Sequence, residues 1–237
     1  MNIAIVGVGR AGSSFASALR RVGHDVRTFH HDEAGDVSSV DLVLLCVPDD
    51  ALESVSNGVP SGDYVVAHVA GSRSVDELAK HARKGFLHPL AMLSSSELGG
   101  ERLLGARFSI GGDDLVADVV HSLGGSVLRL PDEQRALYHA TATVAANHLV
   151  ALLGHVEVLA ESAGLTLDDY LPLVEQALHD VRELGASRAL TGPASRADMA
   201  TIDAHLEAIP ESERSTYVAM ANAAFELAEQ RRLTSHA

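Results

Sequence analysis

The 237-residue chain has one cysteine, no tryptophan and only two lysines, Lys80 and Lys84. A single thiol, Cys46, cannot form an intrachain disulfide or a cysteine-based zinc site. Cations are scarce as a class: 18 basic side chains face 32 acidic ones, for a formal charge of -14. That balance argues against nucleic acid, whose backbone needs clustered Lys and Arg, and against an anionic membrane surface. No apolar run is expected to approach the roughly 20 residues that span a bilayer. No basic and apolar leader precedes the first strand pattern, so the expectation is a protein of the reducing cytoplasm. What the chain has is 46% hydrophobic and 21% charged residues. This suffices for a sizeable core, in one large domain or two small ones.

The first half alternates apolar runs with helical spacing. Strands are expected at Asn2 to Val6, Val26 to Phe29, Val40 to Val47, Tyr64 to Val69, Gly85 to Leu87, Arg107 to Ile110 and Ser126 to Leu130. Helices are expected at Arg10 to Val22, after Asp49, at Ser74 to Arg83 and at Asp113 to Leu123. Nearly continuous apolar strands between helices imply an α/β fold with a parallel sheet covered on both faces. After Pro131 the pattern becomes all-helical. A long stretch from Asp132 to Ala163 precedes helices at Asp168 to Leu184, Asp198 to Ala208 and from Pro210 to about Arg232. The expected domains are therefore a parallel-sheet α/β unit, 1–130, and a helical unit, 131–237. The long helix is apolar over more than one face, which points to a homodimer through the helical half.

The sharpest local motif is Gly7-Val8-Gly9-Arg10-Ala11-Gly12, a G-x-G-x-x-G between a strand and a helix. Gly7 permits the tight turn, Gly9 lets the backbone approach a pyrophosphate, and Gly12 allows close packing of helix on strand. Free N–H groups and the helix dipole at that terminus favour an anion. NAD sites place an acid at the end of the second strand. Here His30 and His31 come first, Asp32 and Glu33 follow, and Arg10 stands in the glycine loop. That order favours NADP(H), with Asp32 as the route to NAD. Val47 and Pro48, at the end of the third strand, are candidates to line the nucleotide pocket, and Cys46 reads as a small core residue.

Polar residues interrupt the apolar pattern at three further places. His68 and His88 end strands at the same sheet edge, each either a structural histidine or a catalyst. His139, Thr143 and Asn147 are spaced four apart on the long helix, as a substrate-facing stripe or a polar seam between helices. Thr191, Arg196 and Asp198 surround a Gly-Pro turn: Arg196 offers a fork for a carboxylate or phosphate, and Asp198 could also cap the next helix. Despite 13 histidines, no metal-binding spacing is present, and no metal is expected.

Taken together, these residues resemble the Rossmann-like proteins whose C-terminal part is a domain of unknown function, DUF2520. The carriers are the loop 7–12, Val-Pro-Asp-Asp at 47–50, His-Pro-Leu at 88–90, Tyr-His-Ala at 138–140, Asn147, and Leu-Thr-Gly-Pro-Ala-Ser-Arg-Ala-Asp at 190–198. The family pattern has Gly before that last Asp, where this chain has Ala197, a change that tightens the backbone. The resemblance implies an NADP-dependent oxidoreductase of the 6-phosphogluconate dehydrogenase-like superfamily with a helical dimerisation domain. Some members look like an alternative ketopantoate reductase of pantothenate biosynthesis; pyrroline-5-carboxylate reductase is a relative by fold. β-Hydroxyacid dehydrogenases and the usual ketopantoate reductases rely on a lysine early in the helical domain, but no lysine follows Lys84 here. The expected proton donor is then His139, with His88 second and an ordered water third. Asn147 would orient the substrate oxygen and Arg196 would hold its carboxylate. Reduction of a small 2-keto acid is the leading expectation. Imine reduction and cofactor binding without chemistry are the alternatives.

Overall fold

The computed structural model describes residues 1–30 and 37–234 and divides the chain into two compact units, Met1–Ala146 and Asn147–Ala237. The first unit alternates β1 (Asn2–Val6), α1 (Arg10–Arg21), β2 (Asp25–Phe29), β3 (Leu42–Leu45), α2 (Leu52–Gly58), β4 (Val65–His68), β5 (Lys84–Pro89), α3 (Ser96–Leu103), β6 (Arg107–Gly112), α4 (Leu115–Ser122) and β7 (Ser126–Leu128). The strands form a seven-stranded sheet in the order β2-β1-β3-β4-β5-β6-β7. Strand order therefore reverses at β1, which places a crevice beside the glycine loop.

Alternate residues of β1, β3 and β4 feed two cores. Ile3, Ile5 and Leu44 pack with Phe15, Leu19 and Phe108 on one face. Ala4, Val43, Leu45 and Val66 pack with Leu52 and Leu78 on the other. Double burial is why these strands read as continuous apolar runs.

The sheet departs from the all-parallel expectation at one place: β6 runs antiparallel to β5. The Leu90 amide donates to the Arg107 carbonyl, so β6 starts where β5 ends. The intervening α3 does not cross to the far end of the sheet. It lies on α1, where Gly99 and Gly100 abut Ser14 and Ser17 so closely that a methyl group would not fit without movement. The helix expected over 74–83 also fails to form beyond a 3-10 turn at Val75–Leu78. Lys80 Nζ donates to the carbonyls of Asn57 and Val59, and the buried His81 ring bonds the Ser56 carbonyl, so the segment is tied to the end of α2 instead.

The helical part begins with α5 (Arg135–Thr143), a π-helical turn at Val144–His148, and α6 (Leu149–Ser162). It continues through α7 (Leu167–Leu184), α8 (Ala186–Ala189), α9 (Gly192–Arg196), α10 (Met199–Ala208) and α11 (Arg214–Thr234). The first unit runs past the strand pattern to Ala146 because Arg135, Tyr138 and His139 of α5 pack on loops of the sheet. The stretch Asp132–Ser162 is long and apolar enough to cross a membrane by length and composition, with a mean hydropathy of 1.4 in its most apolar window and none of that window buried. This corrects the expectation that no apolar run approaches that length: Thr141, Thr143, Asn147 and His148 interrupt the stretch, while Ala, Leu and Val keep its average high. An apolar helix covered by another protein helix meets the same criterion.

Candidate functional site

Two neighbouring features of the first unit lie at the carboxyl edge of the parallel strands. The first is the glycine loop. Gly7 has φ +101° and donates its amide to the Phe29 carbonyl; a side chain there would strike the Cys46 carbonyl. A Cβ on Gly12 would strike the Gly7 carbonyl, so this glycine sets the close packing of α1 on β1. Gly9 differs: a Cβ there would meet nothing within 4 Å. It stands at the N-cap of α1 with no side-chain cap, and the first turn holds no acid. The initial N–H groups of this 12-residue helix thus lack capping side chains, beside backbone left bare by Gly9. Such an end fits a dinucleotide pyrophosphate.

Val8 and Arg10 are exposed and Ala11 is half-buried around this opening. The Val47 side chain borders Gly7, 3.1 Å from where its Cβ would stand, and Pro48 is exposed beyond it. His30 is exposed just after β2. His31, Asp32 and Glu33 lie outside the described residues. Cys46 is buried, and burial pushes its thiol well above the ordinary range, in keeping with a core residue.

The second feature gathers at the ends of β4 and β5. His68 is fully buried. The Ala70 amide donates to its Nδ1, and its Nε2 lies 3.1 Å from the Ser74 carbonyl, so the ring is neutral and Nε2 carries the proton. Burial lowers its pKa to about 4. Both nitrogens are spent on the turn that follows β4, which makes His68 structural. The same turn is held from other sides by Ser72 donating to Asp49, by Arg73 at 3.6 Å from Asp49, and by Arg135 reaching the carbonyls of Ala70, Gly71 and Arg73.

Against this turn stand His88, Tyr138 and His139. His88 Nδ1 is 3.0 Å from the Tyr138 hydroxyl, and the two rings meet edge to face. The His139 ring meets His88 edge-on at 5.7 Å between centroids. A Cβ on Gly71 would come within 2.5 Å of His139 and 2.8 Å of His88 Nε2. His88 is lowered to about 4, chiefly by burial and then by His139 and Arg135. The structure thus brings two of the sequence candidates, His88 and His139, to one spot. Tyr138, Arg135 and Gly71 were missed as site residues. Tyr138 stood in the Tyr-His-Ala motif, and Arg135 is a lone cation heading an apolar helix.

The remaining candidates fall elsewhere. Thr143 is half-buried and its hydroxyl donates to the His139 carbonyl. Asn147, in the second unit, is exposed. Thr191 and Arg196 are exposed, with Arg196 4.0 Å from Asp198. Asp198 takes the capping role: its carboxylate accepts from the Thr201 amide and hydroxyl, which hold it below the usual carboxylate range. Among the described residues no cluster of His, Cys, Asp or Glu is placed to hold a metal ion. A cavity of about 770 Å³, lined in part by Met1, Asp41, Tyr64 and Arg83, opens at the amino ends of the strands. That is the edge opposite to where open α/β sheets take their ligands.

Residues 110–224 match the family model "Domain of unknown function (DUF2520)". No curated protein matches the chain in sequence. Solved structures do match in fold. A Bacteroides fragilis protein provisionally named an NADP oxidoreductase has a TM-score of 0.81 at 20% identity, covering 95% of this chain and 98% of that one. An Aspergillus terreus reductive aminase in complex with NADPH has a TM-score of 0.69 at 16% identity, covering 95% and 93%. A Plasmodium falciparum pyrroline carboxylate reductase with NADP bound has a TM-score of 0.62 at 11% identity, covering 97% of each chain.

Proposed function

We propose that this chain, a Rossmann-like protein with a DUF2520 domain in its C-terminal part, is an NADP(H)-dependent oxidoreductase that reduces a small 2-keto acid. The observation that carries this reading is the uncapped start of α1 at Gly9, at the same sheet edge as His88 and His139. The loop 7–12, with Val47 and Pro48, would hold the dinucleotide, and Arg10 and His30 would meet a 2′-phosphate. The bound reduced nicotinamide supplies hydride. The first unit's own share is to deliver a proton from the pair His88 and His139. Structural neighbours named as NADP or NADPH proteins support the cofactor. Ketopantoate is the first substrate to test, on the strength of the sequence resemblance.

Imine reduction is the second reading. It is favoured by the reductive aminase and pyrroline carboxylate reductase among the neighbours. A protonated imine also asks less of a neutral histidine than a ketone does. The working form is read as a cytoplasmic homodimer paired through the helical half.

Calorimetric titration with NADPH and NADH tests the cofactor. Tight NADPH binding with NADH at least tenfold weaker is expected. Preference for NADH would shift the ribose contact to Asp32 or Glu33, and binding of neither would overturn the oxidoreductase reading. Turnover of ketopantoate against pyrroline-5-carboxylate then separates ketone from imine. Tight cofactor binding with no turnover on a panel of keto acids and imines would instead mark a cofactor-binding sensor.

A further inference from the structure

We infer that Tyr138, His88 and Arg135 form a proton relay that opens at Gly71: the Tyr138 phenol donates to His88 Nδ1, so that His88 presents Nε2–H to the substrate. The substrate side of this relay rests on the oxidoreductase reading; its hydrogen-bond order does not.

His88 Nδ1 faces the Tyr138 hydroxyl at 3.0 Å, while the phenol's other acceptor, the His88 carbonyl, is at 3.5 Å, the limit of a hydrogen bond. The phenol proton therefore goes to Nδ1, and the ring proton to Nε2. Nε2 has no hydrogen-bond partner among the described residues, and Gly71 is the residue in front of it. The backbone of Gly71 is not left-handed, so conformation does not call for glycine there. Space does: any side chain would cover Nε2 and press on His139.

A neutral imidazole is a poor acid by itself. It passes a proton from one nitrogen only as it gains one at the other. The groups facing His88 keep it neutral in the resting state: burial first, then His139 and Arg135 from α5, with Asp49 opposing from the turn after β3 and His68 adding from β4. Tyr138 supplies the second proton. The residual charge also has a place to rest. The Arg135 guanidinium is 2% exposed, stacks 3.6 Å over Phe86, leaves Nε and Nη1 without partners, and forms no ion pair among the described residues. It is a buried cation with no close ion-pair partner among the described residues, the Asp132 carboxylate acting on it only from beyond ion-pair distance, and it stands three residues before Tyr138 on one helix, where side chains are neighbours. Burial raises the Tyr138 hydroxyl above its ordinary range, while the Ser109 N–H and Arg135 act the other way and favour the phenolate, which would give Arg135 a near counter-charge.

The proton balance is closed. Were hydride from a bound reduced nicotinamide to reach a carbonyl carbon, the displaced electron pair would rest on the carbonyl oxygen. That atom takes the Nε2 proton of His88. Nδ1 takes the proton of Tyr138, whose O–H bond breaks, and the phenolate recovers a proton from water. Within this scheme His88 is the catalytic residue, and Tyr138 and Arg135 are positioning residues acting through it.

Long-range proton–nitrogen correlation spectra of histidine-labelled full-length protein read the tautomer directly and need no substrate. His88 is expected as the neutral Nε2–H form at pH 7. Tyr138→Phe should turn that signal into a mixture of tautomers. An Nδ1–H form in the wild type, or a signal unchanged in Tyr138→Phe, overturns the relay. Ultraviolet titration of Arg135→Met, with Tyr138→Phe as the blank, should place the Tyr138 ionisation at least one pH unit higher than in the wild type. No shift would remove Arg135 from the relay, and Arg135→Lys, which keeps the charge, guards against misfolding as the cause. If the wild type binds no NADPH, the oxidoreductase reading fails, yet the tautomer spectra still decide the hydrogen-bond order. With a turned-over substrate, Tyr138→Phe should lower kcat at least tenfold and flatten its pH profile while leaving NADPH affinity unchanged.

Discussion

At the scale of single residues, backbone conformation and burial make two strong demands on this chain. Ala197 ends α9 with φ 56° and ψ 38°, the left-handed region, the one non-glycine with positive φ among the described residues. A Cβ in that region costs on the order of 1–2 kcal/mol. This corrects the expectation of a merely tighter loop: alanine here is strained. Glycine relieves the strain but gives the unfolded chain about 0.4–1 kcal/mol of extra freedom. Ala197→Gly should therefore stabilise the protein by roughly 0.5–1 kcal/mol, read as a higher midpoint in urea. A lower midpoint would mean that the loop relaxes out of the left-handed region. His68 makes the second demand. Its pKa falls from an ordinary 6.5 to about 4 in the fold. Between those values the unfolded chain binds the proton and the folded one does not, so stability is full above pH 6.5 and is lost as pH falls toward 4. The loss from this residue alone is on the order of 3 kcal/mol. Urea midpoints measured across that interval should slope downward with acid, and His68→Gln should flatten the slope.

At the scale of elements, legibility followed burial geometry. Strands with both faces buried, β1, β3 and β4, announce themselves as apolar runs, and G-x-G-x-x-G announces the turn between β1 and α1. The direction of β6 is not written in its own residues. It depends on α3 settling against Ser14 and Ser17 far earlier in the chain. The site divides the same way. Histidines at strand ends, His88 among them, are visible as exceptions to an apolar pattern. The pairing of His88 with Tyr138 spans 50 residues and needs the fold to bring it together. Arg135 was hidden because a cation at a helix start ordinarily reads as solvated. Caps, by contrast, are local chemistry. Thr166 and Asp169 form a reciprocal box at the start of α7, with the Asp169 carboxylate accepting from the Thr166 amide at 2.8 Å. Thr166→Ala should cost about 1 kcal/mol, seen as a lower thermal midpoint. An unchanged midpoint would show that packing alone sets the start of α7.

At the scale of the whole molecule, the helical half is short of a core. From Asn147 onward the buried apolar residues among those described are Ala160, Ala194, Ile202 and Ala228. Three alanines and one isoleucine are a small fully buried core for a unit of this length. Meanwhile Val150, Leu173, Leu178, Met199 and Met220 are each at least 48% exposed. On α6, Val150 and Val158 are exposed on one ridge, and Gly154 between them has open space where a Cβ would stand. A second copy, as proposed above, would cover this surface. The purified protein should therefore sediment at twice the 24.9 kDa chain mass, and its thermal midpoint should rise with protein concentration. Placing a charge on the ridge, in the double variant Val150→Glu and Val158→Glu, should lower the mass to that of one chain or leave the helical half unfolded by circular dichroism. A wild type that sediments as one chain, with a midpoint independent of concentration, would rule out the pairing and leave this apolar helical surface to a different kind of partner.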